Sequence, residues 1–486
     1  MNQVVSQLEP KALWHHFSEL NAVPRPSKKE ERVIQFMLQF GASLGLPTLQ
    51  DEVGNVIIKK PATVGMENRQ TIVMQSHLDM VHQKNADTQF DFNTQGIDMF
   101  VDGDWVKAKG TTLGADNGIG VATIMALLAA KDIPHPAIEA LFTIDEETGM
   151  TGALGLKGGL LSGKILLNLD TEDDHELTIG CAGGIDVSGA VSYAESPVAE
   201  NSVGLQIKIS GLTGGHSGMD IILGRANANK LMNRLLLKLS QVHCVQIESI
   251  DGGGLRNAIP RESIATLAAT PSEIQKIDDT IQSYLEIYKQ EYRLTDLQLQ
   301  VSVEKVVCPN LVLDHHFQTK LLQVIQVIPN GIFRMTPGID GLVQTSNNVA
   351  RVLVKNGNVN IQCLTRSSVD SEKFELASVI QSAFELLGAG TELKGSYPGW
   401  TPMPDAEIVT LMSRIYEEVF ASKPLVNACH AGLECGILGT HYPGMQMISF
   451  GPNIRGAHSP DEKVQISSVQ KFWKYLLKTL EQIPHQ

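Results

Sequence analysis

The first 180 residues alternate stretches of helical periodicity with short runs that have the pattern of buried strands. Apolar side chains recur at helical spacing over residues 13–20 and 28–44, and Ser27 precedes the second stretch as a candidate N-cap. Residues 53–59, 71–75, 139–144 and 164–169 are predicted strands, and residues 121–131 a helix. This alternation predicts an α/β domain whose mostly parallel sheet carries helices on both faces.

A second pattern begins after residue 184. Residues 205–210 alternate like a half-exposed strand, and a predicted helix follows over 224–240. The order strand, helix, strand, strand, helix, strand extends from about 204 to 303 and recurs more faintly from about 317 to 387. We therefore predict an inserted α+β domain over residues 187–396, with an internal duplication left open, between two parts of the first domain, 1–186 and 397–486.

Composition supports this division and excludes several classes of partner. The 486 residues exceed the roughly 250–300 that one hydrophobic core serves. The longest apolar run, 121–130, is shorter than the roughly 20 residues that span a bilayer, and no leader pattern opens the chain, so we expect a cytoplasmic protein without membrane partners. A net charge of −14 without a basic cluster argues against nucleic acid. Six cysteines without a Cys-x-x-Cys pair argue against a thiolate metal site.

Polar side chains capable of chemistry follow the predicted buried strands at the points where they end. These side chains are His77, Asp79, Glu146, Glu147 and Asp170, and Asp116 adds a carboxylate just before the helix 121–131. The carboxyl ends of parallel strands lie at one edge of a sheet, where ligands bind. Each motif alone also suits an exposed acidic patch or a helix cap, but their shared position predicts one site.

The residue types divide naturally into metal ligands and a base. His77 can bind a metal while Asp79, two residues later, orients the imidazole or a neighbouring group. Asp116, in a tight turn, can offer its two oxygens to two metals. Glu147 and Asp170 can each supply one oxygen, which leaves Glu146 free to accept a proton from water.

A site of two imidazoles and three carboxylates needs a second histidine. His458 and His430 are the candidates, and His458 is favoured because a Gly/Pro/Asn loop connects it to the predicted strand 445–450. Mixed imidazole and carboxylate ligands suit Zn²⁺, with Co²⁺ or Mn²⁺ as alternatives. Two such ions would hold a hydroxide and polarise a carbonyl, and Glu146 would transfer the proton to the leaving amine. The predicted reaction is amide hydrolysis without a covalent intermediate.

Three residues of the inserted segment are candidate substrate ligands. His216 lies in the glycine-rich turn 214–218 and can reach a substrate carbonyl, and Arg366 can pair bidentately with a peptide carboxylate. Asn257 is a candidate oxyanion donor. Each of the three also suits an ordinary exposed loop or strand end.

These motifs together resemble the M20 family of dinuclear zinc aminoacylases and exopeptidases. The resemblance rests on residues 22–27, 76–81, 112–118, 145–149, 168–170, 214–218, 397–400 and 430–436. It implies one metal on His77 and Asp170, a second on Glu147 and His458, and Asp116 between them. It further implies Glu146 as the general base, Asp79 as the residue that orients the histidine, and His216, Asn257 and Arg366 as substrate ligands in a lid domain.

The length of the insert resembles the dipeptidase subgroup of the family. The resemblance implies a homodimeric metallo-dipeptidase that hydrolyses unblocked dipeptides of the Xaa-His type, including β-alanyl-histidine. A tripeptidase or an N-acyl amino acid deacylase of the same family is the nearest alternative. A non-catalytic scaffold on a peptidase fold is the alternative from another class. Whether His216 acts within its own chain or across a dimer stays open.

Overall fold

The computed structural model describes residues 3–486 and divides the chain into two compact units. The first unit contains the chain up to Gly180 together with Trp400–Ala428 and Leu433–Gln486, and the second contains Cys181–Gly399 and Cys429–Gly432. The predicted boundaries, 186/187 and 396/397, stay a prediction, whereas the compact units divide at 180/181 and 399/400. The second unit begins earlier because the strand that starts at Gly183 already belongs to its sheet.

The described part of the chain up to Cys181 contains five α-helices and eight strands. The helices are α1 (Lys11–Leu20), α2 (Glu31–Ser43), α3 (Ala115–Ala129), α4 (Glu146–Gly149) and α5 (Thr151–Gly155). The strands are β1 (Thr48–Gln50), β2 (Val56–Lys60), β3 (Ile72–His77), β4 (Met99–Asp102), β5 (Trp105–Ala108), β6 (Ile138–Thr143), β7 (Ile165–Asn168) and β8 (Glu176–Cys181).

The second unit contains the next thirteen strands and four α-helices. The strands are β9 (Gly183–Ser192), β10 (Glu195–Pro197), β11 (Val203–Ser210), β12 (Gly215–His216), β13 (Gln246–Gly253), β14 (Ala258–Ile259), β15 (Ser263–Ala269), β16 (Gln300–Val306), β17 (Leu311–Leu313), β18 (Gly331–Met335), β19 (Val343–Lys355), β20 (Asn358–Ser367) and β21 (Gly390–Tyr397). The helices are α6 (Ala228–Val242), α7 (Ile274–Glu291), α8 (His315–Val327) and α9 (Asp370–Leu387).

The chain from Trp400 onward returns to the first unit, apart from Cys429–Gly432. Its elements are α10 (Glu407–Phe420), β22 (Leu425–Cys429), α11 (Glu434–His441), β23 (Gln446–Ser449), β24 (Ile454–Arg455), β25 (Lys463–Gln465) and α12 (Ile466–Gln482).

The main sheet of the first unit has the strand order β1-β2-β6-β3-β7-β23-β8-β22. The four strands β6, β3, β7 and β23 are parallel, whereas β2 and β8 pair antiparallel at their flanks. Every residue of β3, β6 and β7 is buried, as expected for strands covered on both faces. The predicted α/β class is therefore confirmed, with parallel pairing concentrated in the centre of the sheet.

The sheet of the second unit contains the order strand, helix, strand, strand, helix, strand twice. The first set is β11, α6, β13, β15, α7 and β16, with the spatial order β16-β11-β15-β13. The second set has the matching order β21-β9-β20-β19, and its first strand, β9, precedes the other set in the chain. The faint second pattern in the sequence therefore lacked its first strand because that strand lies more than a hundred residues upstream. The core of this unit packs the sheet against α6–α9.

The predicted helix starts differ from the structure by two to six residues, since α1 begins at Lys11 instead of 13 and α6 begins at Ala228 instead of 224. The other two differences lie next to the candidate site. The helix α2 begins at Glu31 instead of Lys28, and the Ser27 hydroxyl donates to the Asp79 carboxylate instead of capping it. The helix α3 begins at Ala115, with Asp116 and Asn117 in non-helical conformations. Within residues 3–486, no helix combines the length and apolar character that a bilayer crossing requires.

Candidate active site

Five potential metal ligands converge at the carboxyl ends of the parallel strands of the first unit. His77 is the last residue of β3, Asp170 follows β7, and Glu147 lies in the first turn after β6. Asp116 opens α3, and His458 lies in the loop between β24 and β25. Three of these residues, His77, Glu147 and Asp170, are therefore positioned by the strand-end geometry that the sequence predicted.

Asp116 lies between the two histidines and directs one oxygen to each. Its Oδ1 is 3.3 Å from His77 Nε2, and its Oδ2 is 3.2 Å from His458 Nε2. Asp170 Oδ1 lies 3.5 Å from His77 Nε2, and Glu147 Oε2 lies 3.0 Å from His458 Nε2. The donor atoms form two groups of three that share Asp116, each compact enough to surround one ion.

Asp79 lies behind His77 and fixes its orientation. His77 Nδ1 is 3.3 Å from Asp79 Oδ1 and 3.2 Å from the Asp79 carbonyl oxygen, so the Nδ1 proton has acceptors and Nε2 faces the other carboxylates. The same carboxylate accepts hydrogen bonds from the backbone N–H of Glu146 and Glu147, at 3.0 and 3.3 Å. Asp79 therefore holds both the imidazole and the turn that carries the two glutamates.

The carboxylates give both histidines a strong preference for the charged form. Hydrogen bonds with Asp116 and Glu147 raise the pKa of His458 to about 11. Burial opposes charge on His77, but Asp170, Asp116 and Asp79 raise its pKa well above the ordinary range. Burial also opposes ionisation of Asp116, yet hydrogen bonds from His458 and His77 lower its pKa. The site therefore attracts positive charge.

The surroundings of Glu146 and Glu172 oppose ionisation of their carboxyl groups. Burial, together with Asp170, Glu434 and Glu147, raises the pKa of Glu146 well above its usual range. Its carboxylate belongs to a group with His77 and Glu147. Burial beside Asp116 and Asp170 raises the pKa of Glu172 to about 8. A buried carboxyl with a raised pKa can hold and release a proton near neutral pH.

The donor set fits two divalent ions. Imidazole nitrogens and carboxylate oxygens are the ligands that zinc and its neighbours accept. Glu147 Oε1 is buried and lacks a hydrogen-bond partner among residues 3–486, as expected of an oxygen whose partner is an ion.

A different cluster lies in the second unit, around the glycine-rich turn 214–218. A Cβ on Gly218 would clash with the His430 carbonyl and lie within 3.2 Å of both the His216 ring and Arg366 Nε, so the close packing requires glycine. His216 Nδ1 accepts hydrogen bonds from the backbone N–H of Gly218 and Met219, at 3.2 and 3.0 Å. The proton of the neutral ring is therefore on Nε2, which makes Nε2 a donor.

Arg366 and Tyr397 supply the rest of this cluster. Arg366 is 5% exposed, donates to the Tyr397 hydroxyl at 2.8 Å, and has no partner for its buried Nε among the described residues. Burial and the nearby guanidinium lower the pKa of His216 and bring the pKa of His430 to about 3. Asn257 is exposed, and its carbonyl accepts the Ser217 N–H.

His430 is the alternative metal ligand that the sequence left open. It belongs to the second unit, where its Nε2 lies 2.7 Å from the Ser346 hydroxyl, and the potential metal-binding groups found among the described residues do not include it. His458, in contrast, belongs to one of those groups.

Comparison with known proteins identifies the family of this chain. The model of Peptidase family M20/M25/M40 matches residues 73–482. The chain is 41% identical over 480 residues to the "Cytosol non-specific dipeptidase" of Escherichia coli (strain K12), with 99% of each chain covered. The chain belongs to peptidase family M20/M25/M40. It is therefore a hydrolase.

Solved structures support the same assignment. This M20 peptidase superposes on the aminoacylhistidine dipeptidase of Vibrio alginolyticus with a TM-score of 0.94 and 43% identity over the whole of both chains. The aminopeptidase PepT of Bacillus cereus ATCC 10987 shares the fold alone, with a TM-score of 0.57 and 16% identity over 98% of this chain and 99% of the other.

The sequence analysis missed several buried groups that surround these potential metal ligands. Glu462 accepts hydrogen bonds from the loop before Asp116, Arg25 donates to the Leu78 and Asp79 carbonyls, and Glu434 accepts from Gln75 and Thr143. Arg25 and Glu434 lie inside motifs already noted, and Glu462 follows His458 by four residues. The presence of a charged residue in or next to a motif was therefore the sequence signal that could have indicated these three residues.

Proposed function

We propose that this M20 peptidase is a dinuclear-metal dipeptidase that hydrolyses the peptide bond of unblocked dipeptides. The observation that carries the proposal is the placement of Asp116, which directs one carboxylate oxygen to each of two histidines in two ligand groups. The names of the Escherichia coli and Vibrio alginolyticus relatives, both dipeptidases, support the choice of substrate.

One ion would be held by His77 and Asp170, the other by Glu147 and His458, with Asp116 shared. Two divalent ions in such a site, Zn²⁺ by ligand type with Co²⁺ or Mn²⁺ as alternatives, supply Lewis acidity that activates water and polarises the scissile carbonyl. Glu146 accepts the proton of the attacking water and delivers it to the leaving amine, a role that its raised pKa favours. Asp79 keeps the His77 tautomer fixed throughout.

The second unit would supply the groups that recognise the dipeptide. Arg366 pairs with the free carboxylate through a guanidinium whose buried Nε has no protein partner. His216 donates its Nε2–H to a substrate carbonyl, since backbone N–H groups occupy its Nδ1. Asn257 is a further candidate donor. His216 and Arg366 lie together in the second unit, so both can contact one substrate molecule.

The names of the two relatives imply substrate ranges of different breadth. One is called non-specific and the other is named for aminoacyl-histidine substrates. We therefore place Xaa-His dipeptides, including β-alanyl-histidine, within the substrate range, as the preferred but not the sole class. A cytoplasmic location accords with the name of the Escherichia coli relative, and a homodimer remains a family-based proposal that sedimentation velocity would test.

A substrate panel at a single zinc concentration tests the proposal. Hydrolysis of Xaa-His dipeptides, other dipeptides, tripeptides and N-acetyl amino acids is compared for the same zinc-loaded protein. We expect the highest kcat/KM with unblocked dipeptides. Faster cleavage of tripeptides or N-acetyl amino acids would reassign the enzyme within its family, and the absence of both turnover and stoichiometric metal would favour a non-catalytic scaffold.

A further inference from the structure

Glu462 makes an unusual set of contacts with the loop that precedes Asp116. Its Oε2 accepts the backbone N–H of Leu113 and Gly114, at 2.7 and 2.9 Å. Its Oε1 accepts those of Ala115 and Asp116, at 2.7 and 3.2 Å. One carboxylate, only 2% exposed, therefore receives four consecutive N–H groups.

These four N–H groups need an acceptor because the local backbone gives them none. Gly114 is left-handed, with φ of 69°, and Asp116 is non-helical, so the regular hydrogen bonding of α3 does not reach back over this segment. Leu113 and Ala115 are fully buried, and water cannot replace the carboxylate there. Glu462 therefore determines the path of the backbone into Asp116.

The same residue belongs to the loop that carries His458. Its backbone N–H donates to the Ser459 carbonyl at 3.0 Å, which closes the turn that follows the histidine. The segments that carry Asp116 and His458 thus meet through one buried side chain, while the two ligand side chains meet 3.2 Å apart.

Arg25 connects the third ligand-bearing segment to this turn. Its guanidinium is 1% exposed and donates to the carbonyls of Leu78 and Asp79, both at 3.1 Å, and to that of Gly114 at 2.5 Å. A Cβ on Gly114 would lie only 2.6 Å from Arg25 Nη2, so the approach requires glycine. A buried cation and a buried anion therefore hold the same short loop from two sides.

We propose that Glu462 and Arg25 are positioning residues that hold Asp116 where its two oxygens can serve two metal ions. The inference rests on the proposed dinuclear function. Neither side chain is proposed to touch metal or substrate, and both act through the backbone of residues 113–116. Partners of this kind, one step removed from the metal, typically change metal affinity by about 10–100-fold when altered.

The test uses the full chain, stripped of metal by a chelator, and Co²⁺ alone as the probe. In Glu462→Gln the amide keeps one acceptor oxygen but places an N–H₂ group against two of the four donors. We expect Co²⁺ affinity, measured by calorimetry, to fall by about 10–100-fold, with a changed visible Co²⁺ spectrum. In the Co²⁺-saturated variant, kcat should fall more than KM rises. Glu52→Gln, at an exposed ion pair with Lys157, is the matched control and should behave like wild type.

Far-UV circular dichroism and thermal melting separate positioning from a general loss of fold. A folded Glu462→Gln protein with wild-type Co²⁺ affinity and spectrum would overturn the inference, even if its melting temperature were lower. If Glu462→Gln does not fold, Glu462→Asp and Arg25→Lys replace it, because each keeps the charge and loses reach. Reduced affinity in both folded variants supports the inference, and wild-type affinity in both overturns it.

The outcome for wild type distinguishes this inference from the proposed function. A wild-type chain that binds no Co²⁺ would remove the dinuclear proposal and the positioning role with it. A wild-type chain that binds two Co²⁺ ions and hydrolyses dipeptides, beside variants with unchanged binding, would remove only the positioning role.

Discussion

The two units each contain a pair of histidines, and the two pairs have opposite electrostatic surroundings. In the first unit, His77 and His458 face carboxylates, and the pKa of His458 rises to about 11. In the second unit, His216 and His430 lie near Arg366, and the pKa of His430 falls to about 3. Histidine side chains thus lie among carboxylates that favour a cation in the first unit, whereas those in the second unit are kept neutral beside the Arg366 guanidinium.

This difference matches the two halves of a dipeptide hydrolysis. Bound metal replaces the protons that carboxylate-paired histidines otherwise hold, whereas a neutral histidine with an N–H donor and a buried guanidinium suit a carbonyl and a carboxylate. If the comparison is correct, substitutions in the first unit affect metal and kcat, and those in the second affect KM. The following experiments test that separation.

The largest effect is expected from Glu146→Gln. Removal of the proposed base should lower kcat by about 10²–10⁴-fold, because the amide cannot accept a proton from water. The metal content, measured by atomic emission, should stay at the wild-type level. Turnover at the wild-type rate would remove Glu146 from the base role, and Glu52→Gln again serves as the control for a charge change at the surface.

Asp116→Ala tests whether one carboxylate serves both ligand groups. Loss of both oxygens should weaken binding of two ions together, by more than about 100-fold, since changes one step further from a metal already reach that size. Calorimetry with Zn²⁺ gives the stoichiometry directly. Loss of only one ion would show that the two groups are independent, and unchanged binding and activity would exclude the dinuclear model.

Arg366→Ala is the corresponding test in the second unit. Loss of a buried charge partner of the substrate carboxylate should raise KM by about 30-fold or more, with metal content unchanged. Arg234→Ala, at a partly exposed ion pair with Glu291 in the same unit, is the control. A variant with unchanged KM but lower metal content would contradict the separation between the units.

The pH dependence of metal binding tests the electrostatics of the first unit. The pKa of metal-free His458, about 11, lies above the ordinary value of 6.5, so at neutral pH an ion must displace its proton. Affinity should therefore rise with pH between these values, by about tenfold per unit for each proton released. The hydrogen bonds of this protonated histidine should also stabilise the metal-free fold below pH 6.5, and that contribution should be lost as pH rises through about 11. Calorimetry in buffers of different ionisation enthalpy counts the protons, and pH-independent affinity would contradict the prediction.

The first unit shows how much the sequence could predict. His77 ends a buried strand, and Glu146, Glu147 and Asp170 come shortly after two others. Adjacent parallel strands bring their ends together, so periodicity alone predicted the proximity of these residues. His458 needed a choice between two histidines, because loops carry no periodicity. The role of Glu462 could not be predicted from its position near His458 alone, since its four partners are backbone N–H groups whose need for an acceptor arises only from the irregular turn at Gly114 and Asp116.

The second unit was less predictable because its contacts join distant segments. Three segments that are far apart in the chain form the second cluster: the turn that holds His216, the strand that holds Arg366, and Tyr397. They meet only in the folded sheet. The second set of strands was faint for the same reason, since β9 lies upstream of the whole first set. Sequence patterns indicate how residues close together in the chain are spaced, whereas the contacts that form this unit join residues far apart in the chain.

Tyr397→Phe should give the smallest effect and the finest test of the comparison. The substitution removes the hydroxyl that accepts from Arg366 Nη1 at 2.8 Å and keeps the ring that packs against Gly184. One neutral hydrogen bond contributes about 0.5–1.5 kcal/mol, so KM should rise by about 2–13-fold while kcat and metal content stay unchanged. The double variant Tyr397→Phe, Arg366→Ala should have the KM of Arg366→Ala alone, because Tyr397 acts through the guanidinium. Additive effects would instead indicate that Tyr397 contacts the substrate independently of Arg366.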